Sequence, residues 1–422
     1  VQSAYIHVPF CRQRCRYCDF PIAVVSSAGS HTNAVNQYLD ALVEEVQRGG
    51  AGGFAASTEL HPAPLTTIYF GGGTPSLLPT AGFERILEAL HLRFGVAEGA
   101  EITVELDPGT FDPEKVRELV TLGVNRASVG VQSLDDMTLQ RCGRGHGAQE
   151  AVRAIEAALA NGISNVSADL LSGVPSQTEG QLRDDLRAVV GLGVTHVSVY
   201  DLQFEPGTAF ERRYPEPGKA GRPTADAAAE LYVATHGELA ASGFEHYEIS
   251  SFARHPVTCV GPSPFRSRHN MGYWLRTPYA AFGNGAASFV AGVRAMRPRK
   301  VAAYLAWVAR GGPAEGLQEV DASPRDDPRG ALIEALLLGL RTSDGVQLRA
   351  ADGRDAEDAG RCLEAAARAL RPWVETGHAE ASLQDSDGGP STLLRARLVP
   401  PEGFLVSDAI LSDALAAILD LP

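Results

Sequence analysis

The chain has 422 residues, 44% hydrophobic and 21% charged, enough for a large core and more than one domain at the usual domain size. Its 37 basic and 51 acidic side chains leave a formal charge of −14, which argues against sequence-independent attraction to nucleic acid phosphates. No uninterrupted apolar run reaches the roughly 18 to 20 residues of a membrane span, so a soluble globular protein is expected; the chain starts at Val1 without a signal-like segment, and the missing initiator Met points to a trimmed N-terminus.

The first β-rich run, "AYIHV" (4–8), leads into "CRQRCRYC" (11–18), which crowds Cys11, Cys15 and Cys18 together while Cys142, Cys259 and Cys362 stand singly. That is not the pattern of a secreted disulfide framework, and it fits a reducing compartment. Further β-rich runs follow at "TTIYF" (66–70), "EITVEL" (101–106), "RASVGV" (126–131), "NVSADLL" (165–171) and "HVSVYDL" (196–202). Stretches of helical period such as "FERILEALHLRF" and "AVRAIEAALANG" lie between them. Successive βα units predict a parallel sheet with right-handed crossovers. Polar or Gly-rich segments sit just after nearly every strand, as at the C-terminal rim of a barrel, so the expected fold is α/β, a partial six-stranded (β/α) TIM-like barrel over residues 1–213.

"YPEPGKAGRPTAD" (214–226) reads as a surface loop, followed by a helical stretch (225–242) and an aromatic-rich region (244–307). Residues 214–327 are expected to extend the barrel. Residues 328–422, rich in Ala and Leu, predict a separate, mainly helical unit; its ending, "LRARLVPPEGFLVSDAILSDALAAIL", carries a short two-strand signal and then a helix, compatible with a winged-helix-like finish.

Three thiolates with His7 close by could make a Cys₃His zinc site, but His7 lies inside a predicted strand and the second ligand pair of zinc ribbons and fingers is absent. Three thiolates can instead hold three irons of a 4Fe-4S cluster and leave the fourth iron open. An open iron can chelate the amino and carboxylate groups of S-adenosylmethionine, and an electron passed into the sulfonium then breaks a C–S bond to give a carbon radical. Packed or zinc-bound cysteines are the plainer alternative.

The CxxxCxxC spacing at the end of the first strand resembles the signature of the radical S-adenosylmethionine (SAM) proteins, and "YIHVPFCRQRCRYCDF", "GGGTPSLL", "GVQS" and "HNMGYW" narrow the resemblance to their coproporphyrinogen oxidase-like branch, nearest to the HemW-type haem chaperones. It covers nearly all of residues 4–310 and, more loosely, the C-terminal unit. "YCDFPI", "DPGTFD", "CGRGHG" and "VSVYDLQ" look like plant and algal members, which implies a plastid or a mitochondrion, and otherwise the cytoplasm. Oxygen-independent coproporphyrinogen oxidases resemble this pattern but carry a further cysteine two residues past the last cluster ligand, where this chain has Phe20.

The resemblance implies a SAM shell. In "GGGT", Gly72 and Gly73 would let the backbone approach the methionine end and Thr74 could donate its hydroxyl. Tyr17 matches an aromatic beside the adenine, Tyr5 a position near the cofactor, and Glu105 an acceptor for the ribose hydroxyls. Gln132, Arg144 and Asp169 match further contacts, Arg144 being suited to a carboxylate. Asp107, in a "DPG" turn signal, reads as turn chemistry. In "HNMGYW" the resemblance implies haem binding at His269, although "CVGPSPFRSRHN" carries extra residues at 260–267 and Ala287 stands where many bacterial members have His. Two functions follow as expectations: a haem chaperone with a haem-accepting partner protein and a ferredoxin- or flavodoxin-like electron donor, or an enzyme that uses the adenosyl radical for porphyrinogen decarboxylation or methyl transfer.

Overall fold

The computed structural model describes residues 1–25, 29–49, 63–313, 316–319, 328–350, 356–385 and 392–421. All of the expected barrel strands form: β1 Ser3–Val8, β2 Leu65–Gly72, β3 Val96–Leu106, β4 Arg126–Gln132, β5 Asn165–Ser172 and β6 His196–Asp201. They read as near-continuous burial rather than alternation, as parallel strands covered on both faces must; "RASVGVQ" of β4 is buried at all but two positions. The connecting helices are α1 Gly29–Gln47, α2 Thr80–Phe94, α3 Pro113–Thr121, α4 Asp136–Cys142, α5 Ala148–Ala160, α6 Glu179–Gly191, α7 Ala209–Arg213 and α8 Ala225–Ala241. Several starts are set locally: Asp112 accepts from Lys115 N, Asp135 from Thr138 N, and Thr178 and Gln181 form a reciprocal capping box.

The sheet is larger than the six strands expected. The aromatic-rich region folds into β7 Phe244–Glu248, β8 Ser251–Arg254, β9 Tyr279–Phe282, β10 Ala287–Val290 and β11 Val293–Met296, and β12 Gln318–Glu319 completes a 12-stranded sheet of order β12-β11-β10-β9-β1-β2-β3-β4-β5-β6-β8-β7. β9 lies parallel to β1, pairing Tyr5 with Ala281, whereas β8 and β10 join antiparallel. These strands are short and have little periodic signal of their own, which is why the sequence shows only an aromatic-rich stretch. The sheet stays open, with β12 and β7 at its edges. Between β8 and β9 the "HNMGYW" segment forms α9, Arg268–Trp274, and after β11 comes α10, Val301–Ala309.

The C-terminal unit has its own core, with Leu336, Leu363, Leu370, Leu398, Phe404 and Ile410 buried. Its helices α11 Pro328–Gly339, α12 Ala356–Glu375, α13 Glu402–Leu405 and α14 Ser407–Leu419 pack with a three-stranded antiparallel sheet of β13 Val346–Arg349, β14 Ala379–Asp385 and β15 Thr392–Leu398. At its end "LRARL" lies in β15, the central strand, which pairs with both earlier strands, β13 and β14, and the helices α13 and α14 follow. The expected boundary at 327/328 falls at the edge of residues 320–327, outside the described residues. Ion pairs fasten this unit to the barrel extension: Arg266 to Asp344 at 2.6 Å, Arg276 and Arg294 to Glu334 at 2.6 and 2.7 Å, and Arg341 to Glu248 at 3.2 Å.

One buried ionic group ties α1 to the far side of β9. Glu45 accepts from Arg297 Nε at 2.9 Å, Tyr304 OH at 2.7 Å and Gly283 N at 3.0 Å, and both side chains of the ion pair are almost fully buried. Glu45→Ala leaves the Arg297 guanidinium buried without its counter-charge and should cost about 3–5 kcal/mol. Denaturant unfolding followed by tryptophan fluorescence measures this; a loss below about 1 kcal/mol would show that the site is hydrated.

Candidate metal and cofactor site

β1 ends at Val8, and the chain turns through Pro9 into a loop closed by pairing of Phe10–Cys11 with Ala23–Val24. This loop carries Cys11, Cys15 and Cys18 at the C-terminal end of the parallel strands. Its backbone is held from many directions. Arg16 N donates to Cys142 O at 2.9 Å, Gln13 Nε2 to Gly143 O at 2.8 Å, Arg12 to Gly109 O at 2.7 Å, and Asn284 Nδ2 to Pro21 O at 3.0 Å. Arg14 folds back onto the carbonyls of Cys18 and Phe20.

Cys11 is buried, while Cys15 and Cys18 are partly exposed. Burial pushes the Cys11 thiol up to about 11, opposed by the Thr74 hydroxyl, which donates to Cys11 Sγ at 3.6 Å; burial also raises Cys18. Among the described residues no three His, Cys, Asp or Glu side chains converge closely enough to hold a metal ion, so the thiols share a loop without sharing a centre. The donor set nevertheless fits a cluster with one open iron: three thiols on one held loop, two of them reachable, and no fourth. His7 does not complete a zinc set, because it stays inside β1 with Nδ1 3.1 Å from Tyr5 OH and its ring against Gly72. Phe20, 57% exposed, offers no sulfur.

The glycines of "GGGT" serve contacts within the chain. Gly72 has φ +118° and would place a Cβ against the His7 ring. A Cβ on Gly73 would lie 2.8 Å from the Pro9 and Phe10 carbonyl oxygens, while Gly73 N donates to Val8 O at 2.7 Å. The close approach expected toward a ligand is thus first an approach to the cysteine loop.

Glu105 sits at the rim, accepting from Tyr69 OH and Gly72 N, each at 3.0 Å. Burial, with Asp169 nearby, pushes its carboxyl up to about 7. Asp169 accepts from Ser128 at 2.7 Å and Ser167 at 2.9 Å and is also raised by burial. Tyr5 stacks on Tyr69 with ring centroids 6.1 Å apart. Tyr17 meets Phe210 edge-on and is 3.4 Å from Arg144 Nη1. Gln132 takes a left-handed backbone (φ +65°), and a Cβ at Gly130 would lie 3.1 Å from Gln132 Nε2 and 3.4 Å from Arg144 Nη2.

Arg144 links this shell to the thiols, with Nη1 3.3 Å from Cys15 Sγ and Nη2 paired to Asp107. Asp107, read from sequence as turn chemistry, does both jobs, since its carbonyl also accepts from Thr110 N. Sequence reasoning missed this pairing and the crowding at Gly130; the one available signal was the place of Asp107 two residues past Glu105.

The expected haem ligand lies elsewhere. His269 is 1% exposed and stacks on Tyr69 with centroids 5.1 Å apart. Its Nδ1 is 2.8 Å from Thr67 Oγ1 and its Nε2 2.8 Å from Tyr273 OH, so both ring nitrogens are engaged inside the barrel. In this conformation an iron reaches neither. His269 thus sits in the core, where β9 pairs beside β1 and α9 lies over the strand ends. The extra residues at 260–267 form an ordered loop in which Ser263 donates to Arg254 O at 2.6 Å.

Residues 5–189 match the Radical SAM superfamily. The chain is 37% identical to "Heme chaperone HemW" of Synechocystis sp., covering 99% of this chain and 97% of that one, and 32% identical to "Heme chaperone HemW" of Bacillus subtilis, covering 86% and 88%. Its structure is similar to that of coproporphyrinogen III oxidase from Escherichia coli, with a TM-score of 0.74 over 98% of this chain and 89% of that one; at 20% identity this is a likeness of fold. Fold and cysteine loop thus define a radical SAM protein. Within that superfamily the chain belongs to the HemW family.

Two outcomes follow. Gly73→Val should displace Pro9–Phe10 and lower iron retention after anaerobic reconstitution severalfold; full iron content would show that the loop tolerates the side chain. Because the Glu105 carboxyl rises from 4.5 to about 7 on folding, its favourable contribution is complete below about 4.5 and is lost as pH rises through about 7. The thermal midpoint of the protein should therefore fall relative to that of Glu105→Gln across this window. A constant difference would place the carboxyl in water.

Proposed function

We propose that this protein is a haem chaperone that holds a 4Fe-4S cluster through Cys11, Cys15 and Cys18, binds SAM beside it, and passes haem to an acceptor protein. The observation that carries this reading is the held loop of three thiols without a fourth donor, in a chain matched along its length by relatives named haem chaperones. When bound, the cluster would supply one electron at a time and an open iron for the amino acid end of SAM. Around it, Arg144 holds its guanidinium 3.3 Å from Cys15 Sγ, while Asp107 balances that charge. Glu105 presents an acceptor to the ribose hydroxyls, Asp169, Gln132 and Tyr5 line the shell, and Tyr17 borders the adenine.

Arg12 and Arg14 are exposed on the cluster loop, with no carboxylate paired to either among the described residues. This positive rim on an otherwise acidic chain suits an acidic electron donor of the ferredoxin or flavodoxin type. The plant- and algal-like phrases support a plastid or mitochondrial setting. No described helix is long and apolar enough to cross a membrane.

The exposed Phe20, in place of a further thiol, argues against porphyrinogen decarboxylation. Anaerobically reconstituted protein should bind about four irons and four sulfides, give a saturable Soret change with haem, and convert no coproporphyrinogen III. Cys15→Ser should lose most of the iron. Zinc in place of iron, or formation of protoporphyrinogen, would sink the proposal.

A further inference from the structure

A chain of buried hydrogen bonds runs from Asp169 to the strand that meets the C-terminal unit. Ser167 Oγ donates to Asp169 Oδ1 at 2.9 Å and lies 2.8 Å from His196 Nδ1. His196 Nε2 is 2.8 Å from Tyr247 OH, which accepts from Ser267 N at 3.3 Å. The register of β5 on β6 builds the first half, setting Ser167 beside His196 and Asp169 beside Ser198. Tyr247 arrives from β7. Ser167, His196, Tyr247 and Ser267 are buried, and Asp169 alone is partly exposed.

The donors fix one polarity. A serine hydroxyl has a single proton. Because Ser167 gives that proton to the carboxylate, it accepts from His196, so Nδ1 carries the imidazole proton. Burial, with Arg126 nearby, pushes His196 well below its usual range, so the ring is neutral and Nε2 offers a lone pair. Tyr247 OH therefore donates to Nε2, and its oxygen takes the Ser267 N–H. Every proton in the chain points toward Asp169, and Ser128 Oγ adds a donor to the second carboxylate oxygen at 2.7 Å. Aligned hydrogen bonds in a buried setting polarise one another, and donors to a carboxylate oppose the upward push of burial.

The far end is held by the C-terminal unit. Ser343 N donates to Tyr247 O at 2.9 Å, Ile249 N donates to Arg341 O at 3.3 Å, and Glu248 forms an antiparallel bridge with Thr342. The Arg266 guanidinium, paired with Asp344, lies 5.3 Å over the Tyr247 ring.

We propose that His196 and Tyr247 are positioning residues for the cofactor shell, keeping Ser167 a donor and thereby fixing the Asp169 carboxylate as an acceptor in one orientation toward SAM. This rests on the reading of Asp169 as part of that shell and names what sets it.

The test is anaerobic titration of the reconstituted full chain with SAM, followed through the electron paramagnetic resonance signal of the cluster, with iron content and a thermal midpoint for each variant. Two amides separate positioning from packing: the Asn amide nitrogen stands close to where Nδ1 lies, and the Gln amide close to Nε2. His196→Gln thus keeps a partner for Tyr247 but strips Ser167 of its donor, and it should weaken SAM binding about fivefold or more, as should Ser167→Ala. His196→Asn should restore affinity to within about twofold of the unaltered protein, although its thermal midpoint falls as far as that of His196→Gln. Tyr247→Phe frees the imidazole to change tautomer and should weaken binding about threefold at unchanged iron content. Equal losses of affinity in His196→Asn and His196→Gln would reduce His196 to packing and overturn the proposal, as would unaltered affinity in both His196→Gln and Ser167→Ala. If SAM leaves the signal of the unaltered protein unchanged, the cofactor reading fails and the positioning role fails with it, a result distinct from normal binding that the variants leave untouched.

Discussion

The rim depends on how the backbone of the cysteine loop is held. Ordering a residue costs about 1–2 kcal/mol of chain entropy, and a loop that carried its thiols loosely would have to meet that cost when a metal bound. Here neighbouring elements meet much of it beforehand. Gly73 presses its backbone on Pro9 and Phe10, the α4 end takes Arg16 N and Gln13, and Asn284 reaches Pro21 O while also holding Arg299 O. Each partner comes from a different part of the chain. The cysteine loop is therefore a product of the whole barrel, including strand β9, whose following turn supplies Asn284.

Inside the barrel the polar groups form a continuous system. Glu105 takes Tyr69 OH, Tyr69 stacks on His269, and His269 bonds Thr67 and Tyr273. Asp169 takes two serine hydroxyls, and Arg126, 2% exposed, supplies positive charge nearby. Burial raises both carboxyls and pushes His269 down to about 3, so the imidazole is neutral and its two nitrogens act as one donor and one acceptor. Hydrogen bonds of this kind rigidify what surrounds them, although Arg126 Nε is buried without a partner. The rim that carries the cysteine loop and the helix at the other end thus share one scaffold.

That helix is gripped from two sides. From within, Glu101 accepts the backbone N–H groups of Arg268 and His269 at 3.1 and 2.9 Å. From outside, the C-terminal unit is tied close by through Glu334, Asp344 and Arg341, the last lying over the Trp274 ring at 4.3 Å. The C-terminal unit has its own core, so its ion pairs act as fasteners between two independently packed bodies, where partly exposed charges contribute modestly and geometry more.

Local chemistry made much of this readable in the residues themselves. β-rich runs each followed by Gly or polar punctuation announced the parallel strands, three thiols at CxxxCxxC spacing announced a donor set, and "GGGT" marked a backbone that must pass close to something. These signals depend on periodicity and on side-chain type, which a linear chain carries in full. What "GGGT" passes close to, which carboxylate faces Arg144, and whether an imidazole in "HNMGYW" is free or engaged were decided by contacts between distant segments: Gly73 with Pro9, Asp107 with Arg144, Thr67 with His269. The strand β9 that brings α9 over the barrel end has four residues and no pattern of its own; it exists because β1 offers an unpaired edge to fill. A hydrogen bond or a burial depends on both partners, and only the folded chain brings the second one into place.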